Sequence, residues 1–475
     1  MSQQRRRNAP WAAAGIGIAL ATLTALSARG AEAAAPSAGP PPERVKALQD
    51  LRWGLFVCWS FSSFSGYEWT WGVTDVRFFN PTGFDPDQWC AAAKDAGMGY
   101  VLLLTKHHDG FCFWDTATTD RKVTASPLGI DVVAAVKQAC DRHGLKLALY
   151  FSEGEFAWQE GGQLQSAGGS GYHTGGRNPE LKQAQLRELL TRYGPIEFLW
   201  LDVAVGDGGL SHADTVRFVK GIQPGCFVGF NGGDQTDADI QLRERGTPGP
   251  VSPPASLAEL TYPILEGQGS RGQRGAQWFY SLPENDGLCV PAEKLYADWQ
   301  AAGQFGNIFS LDAGPDRNGR LRDIDVDTLR TVGRYIRGEL KPPAPPPPAL
   351  SQGRPAQASS AWQGNPGFGP EQAVDGSEYT RWGAAEEARS GWLEVDLGET
   401  TRIGRVVIDE GTWKRIEQFA IEIGQDDNWK TIHSGTTVGG RQSLTLEPVE
   451  ARRVRLNIIK AIEVPTLLEF QVFGP

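Results

Sequence analysis

The sequence predicts an α/β fold, a (β/α)8-like barrel, followed by an all-β sandwich (jelly-roll) domain. Three observations lead to this fold class. Short apolar runs alternate with helical patterns over roughly 290 residues, as expected for parallel strands joined by helices. A proline-rich stretch at 341–348 then interrupts the chain. Beyond it, short β-rich runs follow one another without a helical period.

The barrel region contains six clear strand patterns, which are short apolar runs bounded by polar or turn residues. They are Gly54–Trp59, Tyr100–Thr105, Lys146–Phe151, Glu197–Asp202, Cys226–Phe230 and Asn307–Leu311. The predicted helices are Asp85–Ala96, Gly129–His143, Glu180–Tyr193, His212–Ile222 and Asp323–Leu340. This alternation would bring the carboxyl ends of the strands to one face of a barrel.

The region after the proline stretch predicts only strands, separated by Gly, Asp-Gly and polar turns. The runs are Trp392–Leu397, Arg402–Asp409, Glu417–Ile423, Ser443–Glu447 and Arg453–Ile459. The predicted organisation is therefore a signal peptide at 1–35, a barrel at 45–340, a Pro-rich linker at 341–350 and a sandwich at 351–475.

The N-terminus has the features of a signal peptide. Arginines at 5–7 precede an apolar run from Trp11 to about Ala28, and the small residues at 31–35 offer a cleavage site. An uncleaved membrane anchor is the alternative. The sequence predicts export to the periplasm or the extracellular space, without membrane contact after cleavage. The formal charge of −10 argues against nucleic acid as a partner.

Six cysteines lie in the first predicted domain, and none forms a C-x-x-C pair, which argues against a zinc site. An even number in an exported protein permits disulfides. The apolar surroundings of Cys58, Cys90, Cys112 and Cys140 favour buried free thiols instead.

Polar side chains stand directly after several predicted strands, where barrel enzymes carry their chemistry. Asp202 follows four apolar residues, and a carboxylate held rigidly at a strand tip can act as a nucleophile. A loop-capping aspartate is the alternative. His107 and His108 follow the second strand pattern and can donate hydrogen bonds to sugar hydroxyls. They could instead bind a metal, but no second histidine cluster supplies further ligands.

These motifs and their order resemble glycoside hydrolase family 29, the α-L-fucosidases. The matching segments are Thr105–Phe111 (TKHHDGF), Gly144–Ser152 (GLKLALYFS), Tyr193–Asp202 (YGPIEFLWLD) and Gly306–Pro315 (GNIFSLDAGP). The resemblance implies a retaining enzyme that removes terminal α-L-fucosyl residues from an oligosaccharide or polysaccharide without a catalytic cofactor. An α-L-glycosidase for a different or modified sugar and a non-catalytic glycan-binding protein are the alternatives.

The resemblance also implies a role for each matching residue. Asp202 matches the nucleophile that forms a covalent glycosyl-enzyme, while a second carboxyl group gives and takes the proton. The residues implied to line the sugar site are Cys58, Trp59, Glu68, Trp69, His107, His108, Tyr150 and Trp278.

The second carboxyl group is not fixed by a motif. Glu244 lies 42 residues after Asp202, and Glu266 lies 64 residues after it; both spacings occur in subgroups of the family. Glu244 is preferred because it ends a strand-like run. The other candidates are Glu153, Glu155 and Asp234, and an alternative for Glu244 is a surface pair with a neighbouring arginine.

Two departures from the family make the sugar identity less secure. Cys58 stands where the family has a histidine that recognises an axial hydroxyl, and a thiol donates only a weak hydrogen bond. Asn231–Asp234 (NGGD) replaces Asn-x-Arg-Trp, so a positive charge is expected to be missing from the rim of the pocket.

The second domain resembles the discoidin-like (coagulation factor 5/8 C-type) family. The matching segments are Ala373–Gly376, Thr380–Trp382, Trp392–Gly398 and Glu469–Gly474. The resemblance implies a structural calcium with Asp375 and Glu469 as candidate ligands, although Asp375 can equally belong to a simple turn. The domain either binds glycan, with Trp362, Trp413 and Trp429 as stacking candidates, or braces the barrel.

Overall fold

The computed structural model describes most of the chain from residue 39 onward. The described residues are 39–70, 73, 75–154, 179–204, 210–232, 235–251, 253, 255–265, 278–280, 283, 286–344, 347–377, 380–411, 413–425 and 428–475. The predicted signal peptide, Glu155, Asp234 and Glu266 lie outside them. The chain divides into a first unit, Met1–Pro343, and a second unit, Ala344–Pro475, and the division falls within the stretch predicted as a linker.

The first unit is a nearly closed barrel of eight parallel strands, as predicted. The strands are β1 (Trp53–Val57), β2 (Tyr100–Lys106), β3 (Lys146–Ser152), β4 (Phe198–Asp202), β5 (Phe227–Asn231), β6 (Ile240–Glu244), β7 (Leu257–Pro263) and β8 (Ile308–Asp312). Their hydrogen-bonded order is β5-β4-β3-β2-β1-β8-β7-β6. All residues of β1 and β2 are buried, which explains their continuous apolar runs.

Two strands, β6 and β7, were not among the six clear strand patterns. β6 alternates apolar and polar residues, and β7 carries Glu259 inside the run and ends at Pro263. These two strands therefore lack the signature of a strand buried on both faces.

The barrel closes between β5 and β6, the two ends of the hydrogen-bonded order, through close packing. A Cβ atom placed on Gly229 of β5 would lie 2.7 Å from the side chain of Leu242 on β6. Only glycine permits this approach, which brings the carboxyl ends of β5 and β6 together.

The helices around the barrel are α1 (Pro42–Gln49), α2 (Ser62–Ser65), α3 (Pro86–Asp95), α4 (Val132–His143), α5 (Pro179–Arg192), α6 (His212–Ile222), α7 (Ala292–Gln304) and α8 (Asp323–Ile336). Side chains at the N-caps fix several starts: Asp85 accepts the Gln88 N–H, and Asp131 accepts that of Ala134. Helix α7 has only two buried residues, so its sequence shows no apolar residues at a helical spacing.

Among the described residues, no helix lies between β5 and β6 or between β6 and β7. None of the described helices combines the length and apolar character needed to cross a bilayer.

The second unit consists of antiparallel sheets, in agreement with the predicted sandwich. Its strands are β9 (Ala356–Ala358), β10 (Trp382–Gly383), β11 (Gly391–Asp409), β12 (Ile416–Gln425), β13 (Asn428–Thr436), β14 (Arg441–Ala461), β15 (Thr466–Leu467) and β16 (Glu469–Phe473). The larger sheet has the order β13-β12-β14-β11-β16, with β9 beside β11, and β10 pairs with β15. β11 and β14 each contain two of the predicted runs. The pairing between β11 and β14 shifts its register between residues 396 and 405 but continues on both sides, so the two runs belong to one strand.

Candidate active site

The candidate site lies at the carboxyl ends of β3 to β6, where the strand register sets Asp202 beside Ser152 on one side and Asn231 on the other. Asp202 Oδ1 accepts the Val203 N–H at 2.8 Å and an Asn231 N–H at 2.9 Å. Its Oδ2 accepts the Tyr150 hydroxyl at 2.5 Å. Three donors therefore hold this carboxylate in one orientation and favour its ionised form.

Asn231 joins two carboxylates. Its Nδ2 donates to Asp202 Oδ1 and also to Glu244 Oε2, in both cases at 2.9 Å. An amide NH2 group has two hydrogens, one for each acceptor. The two oxygens are therefore separated by at most twice 2.9 Å. Arg243, one of the two neighbouring arginines weighed as a surface partner of Glu244, bonds to Gln241 and to backbone carbonyls.

His108 faces Asp202 in a defined tautomer. The Ser152 hydroxyl donates its single hydrogen to Gly154 O at 2.8 Å, so it accepts from His108 Nδ1, 2.7 Å away. The other ring nitrogen, Nε2, lies 3.6 Å from Asp202 Oδ2. Since Nδ1 carries the proton, Nε2 can accept a hydrogen bond when the ring is neutral and can donate one when the ring is charged. In both states Nε2 lies next to Asp202, the nucleophile candidate.

His107 is buried beside His108, and the ring centroids lie 4.0 Å apart. Burial, with a contribution from His108, holds the pKa of His107 well below its ordinary value, so the ring is neutral. Its Nδ1 is buried without a hydrogen-bond partner among the described residues. A sugar hydroxyl can supply that partner. Within the described part of the chain, no group of three or more His, Cys, Asp or Glu side chains is arranged to hold a metal.

These groups line one pocket of about 480 Å3, open to solvent at its mouth. The predicted residues in its wall are Cys58, Glu68, Trp69, His107, His108, Tyr150, Asp202, Glu244 and Trp278. Phe56, Leu104, Trp200 and Phe279 add apolar surface that the sequence analysis did not assign to the site. The structure thus brings nine predicted side chains together.

Trp59 is placed elsewhere. Its side chain is 1% exposed and packs in the core against Phe79, Phe84 and Trp89, while its Nε1–H bonds to Asp316 O. Cys58 and Trp59 are neighbours in sequence, so their side chains leave the end of β1 on opposite sides. The structure therefore gives Trp59 a place in the core and not in the wall of the pocket.

Comparison with known proteins agrees with this geometry. The family model described as alpha-L-fucosidase matches residues 49–339, well over half of the chain. The chain belongs to the α-L-fucosidase family. It is therefore a glycoside hydrolase, and in the second unit residues 372–456 match the model of a NedA-like, galactose-binding domain of the F5/F8 type C class.

This fucosidase has relatives over most of its length. "Alpha-L-fucosidase 1" of Arabidopsis thaliana is 28% identical over 462 residues, which cover 88% of this chain and 85% of the relative. A glycoside hydrolase 29 family member from an unknown rumen bacterium has a TM-score of 0.51 at 23% identity, covering 92% of this chain and 77% of that one. A Ruminococcus gnavus GH29 fucosidase in complex with fucose has a TM-score of 0.50 in its mutant form, at 19% identity, covering 94% and 96% of the two chains.

Arg245 brings a guanidinium close to one residue of the pocket wall, Trp278. Arg245 directly follows β6, with φ at +51°, and its guanidinium lies 5.2 Å from the ring centroid of Trp278, which lines the pocket. This charge comes from the end of β6, and the absence of an arginine from Asn231–Asp234 stays as the sequence indicates.

Asp312, at the tip of β8, is a buried carboxyl group that the sequence analysis missed. Its Oδ1 accepts the Cys58 N–H at 3.2 Å, and burial raises its pKa well above the ordinary value. Burial and the Asp312 charge also raise the pKa of the Cys58 thiol, which stays protonated. The run Ile308–Asp312 ends in a carboxylate as Phe198–Asp202 does, so the same strand-tip rule could have found it.

Glu259 is a second missed carboxyl group, fully buried inside the barrel on β7. Its Oε2 accepts the Trp200 Nε1–H at 3.1 Å, and the Trp200 ring stacks on Tyr150 with 5.2 Å between centroids. Burial raises the pKa of Glu259 to about 8. Its position, a charged residue within an otherwise apolar strand, could have indicated this buried carboxyl group from the sequence.

We expect Glu259→Gln to make the stability of the fucosidase less sensitive to pH. The unfolded carboxyl titrates near pH 4, so the native state holds the extra proton between about pH 4 and 8. Native stability therefore falls as pH rises through this window, by roughly 4–5 kcal/mol for complete titration. Urea unfolding at pH 5 and pH 8 should show a large loss for the wild type and a smaller one for the variant. Equal losses would show that Glu259 does not titrate as a buried acid.

Proposed function

We propose that this fucosidase is an exported, retaining exo-glycosidase that removes terminal α-L-fucosyl residues from glycans by double displacement. The observation that carries the proposal is the amide of Asn231, which binds Asp202 and Glu244 at 2.9 Å each. Retaining glycosidases hold their two carboxyl groups roughly 5–5.5 Å apart, whereas inverting enzymes need about 6.5–9.5 Å to admit a water. Two carboxylate oxygens bonded to one nitrogen are close to each other, as the retaining arrangement requires.

In this proposal Asp202 attacks the anomeric carbon while Glu244 protonates the departing glycosidic oxygen. The bond from sugar to aglycone breaks as the bond to Asp202 forms, with inversion at the carbon. Glu244, now a carboxylate, takes a proton from water, which attacks the same carbon and releases Asp202 with a second inversion. Tyr150 holds the carboxylate that attacks and later leaves, since its hydroxyl donates to Asp202 Oδ2.

The histidine pair supports a sugar with several hydroxyl groups. His107, whose Nδ1 has no hydrogen-bond partner among the described residues, and His108, whose Nε2 lies 3.6 Å from Asp202 Oδ2, both line the pocket. The fucose bound to the Ruminococcus gnavus relative supports fucose as the sugar. A different α-L-sugar is the second candidate, because the thiol of Cys58 occupies the wall of the pocket.

Aryl α-L-fucoside, α-L-galactoside and α-L-glucoside offered to the full chain would test the proposal. We expect the fucoside to have the highest kcat/KM and the first product detected by proton NMR to be α-L-fucose. A β-configured first product would contradict the retaining mechanism. A preference for the galactoside or the glucoside would favour the second candidate and leave the mechanism standing.

We propose further that Asp375 and Glu469 of the second unit hold a structural calcium. Glu469 Oε1 accepts the Gly376 N–H at 2.9 Å, and burial and the nearby Asp375 carboxylate raise its pKa to about 7. Two adjacent carboxyl groups supply the oxygen ligands that a hard cation prefers. The described residues add no third acidic side chain, so carbonyl oxygens would complete the coordination.

Calcium is expected to raise the Tm of the second unit's transition in the full chain by roughly 3–8 °C at saturation. Calorimetry with calcium chloride and with a chelator measures the shift. Asp375→Asn should abolish it, whereas Asp396→Asn, at an exposed ion pair with Arg452, should preserve it. A wild-type Tm independent of calcium would contradict the site.

A further inference from the structure

The second unit contains a pocket of its own, of about 520 Å3, which the fucosidase reaction does not use. Its wall includes the aromatic side chains Trp362, Phe368 and Trp413 and the guanidinium groups of Arg381 and Arg415. All five side chains are partly exposed. Indole faces in an open pocket suit the apolar face of a sugar ring, and the two arginines add positive charge.

The two arginines differ in their partners. Arg415 pairs with Glu463 at 3.0 Å and donates to the oxygens of Val464 and Thr466, so its charge and its donors are satisfied within the protein. This residue is therefore part of the structure of the pocket wall.

Arg381 has aromatic neighbours instead. Its guanidinium carbon lies 4.6 Å from the Phe368 centroid and 5.4 Å from the Trp413 centroid. Among the described residues, no carboxylate and no hydrogen-bond acceptor is bonded to it. Rings can cover the faces of a guanidinium, but they do not satisfy the N–H groups around its edge. Because Arg381 lines the pocket, its donors are available to a ligand there, and an anionic ligand would also compensate the charge.

We propose that this pocket binds an anionic glycan, with Arg381 contacting a carboxylate or a sulfate ester while Trp362 and Trp413 pack against the sugar ring. The guanidinium fork matches both planar carboxylates and sulfate oxygens. The second unit would then hold the enzyme on an acidic polysaccharide, whichever sugar the barrel cleaves. This differs from binding of neutral galactose, which the name of the matching domain family suggests.

Titration calorimetry of the full chain tests the proposal with three galactan-type oligosaccharides of equal length: a galacturonate, a sulfated galactan and a neutral galactan. We expect at least one anionic oligosaccharide to bind at least tenfold more tightly than the neutral one. Tighter binding of the galacturonate would identify the carboxylate as the anion, and tighter binding of the sulfated galactan would identify the sulfate ester. Binding should weaken as sodium chloride is raised.

Arg381→Met should reduce this affinity at least tenfold. The matched control is Arg405→Met, because Arg405 also lies over an aromatic ring, 3.8 Å from the Phe473 centroid, but outside the pocket. That variant should bind like the wild type, and an unchanged Tm for each variant excludes a folding defect. Equal affinity for neutral and anionic oligosaccharides, no binding of either anionic one, or equal losses in both variants would overturn the proposal.

Discussion

Asp202→Ala is expected to lower kcat on an aryl α-L-fucoside by about 10⁴-fold or more, because the proposed mechanism forms the glycosyl-enzyme on this carboxylate. Asp202 is held by Val203, Asn231 and Tyr150, so its removal leaves a small cavity where an external anion can bind. Added azide should restore turnover by attacking the substrate directly. The product should be the β-fucosyl azide, since a single displacement inverts the anomeric carbon.

The matched control for this experiment is Asp141→Ala, which removes an exposed carboxylate paired with Lys137 on α4. It should retain wild-type kcat and give no azide product. Activity in Asp202→Ala close to that of the wild type, without azide, would assign the nucleophile elsewhere. Repeating the measurement on an aryl α-L-galactoside distinguishes an incorrect assignment of the nucleophile from an incorrect assignment of the sugar.

Glu244→Gln is expected to show a loss that depends on the leaving group. For a natural alcohol the first step needs a proton from Glu244, and kcat/KM should fall by about 10²–10⁴-fold. For a dinitrophenyl fucoside, whose phenolate leaves without a proton, kcat/KM should change little. The second step lacks its base, so azide should speed turnover and give the α-fucosyl azide by attack on the glycosyl-enzyme.

The opposite anomers of the two azide products distinguish the two carboxylates. Glu180→Gln, an exposed glutamate at the start of α5, should behave like the wild type. If Glu244→Gln loses activity equally on both leaving groups and yields no α-azide, Glu244 is not the acid/base. The same measurement on Glu266→Gln would then test the other glutamate with a suitable spacing from Asp202.

Much of the fold followed from local patterns. Continuous apolar runs predicted the strands β1 to β5 and β8, because strands covered on both faces exclude polar residues. This pattern did not predict β6, β7 or the helix α7, because these elements contain polar residues that are accommodated by tertiary neighbours. Trp59 shows a limit of another kind. A match to a motif gives its place in the chain, whereas packing decided that the ring belongs to the core.

The sequence by itself indicated the nucleophile candidate, Asp202, because this carboxylate follows an apolar strand of a predicted barrel and its segment resembles the nucleophile segment of the family. It left the partner carboxylate open, because Glu244 and Glu266 both have suitable spacings and spacing along the chain does not measure distance in space. The tertiary structure places Glu244 next to Asn231, because β5 and β6 meet over Gly229 and one Asn231 amide reaches both Asp202 and Glu244, whereas Glu266 lies outside the described residues. The tertiary structure also decided the raised pKa of Glu259 and of Asp312, because burial, not residue type, raises both.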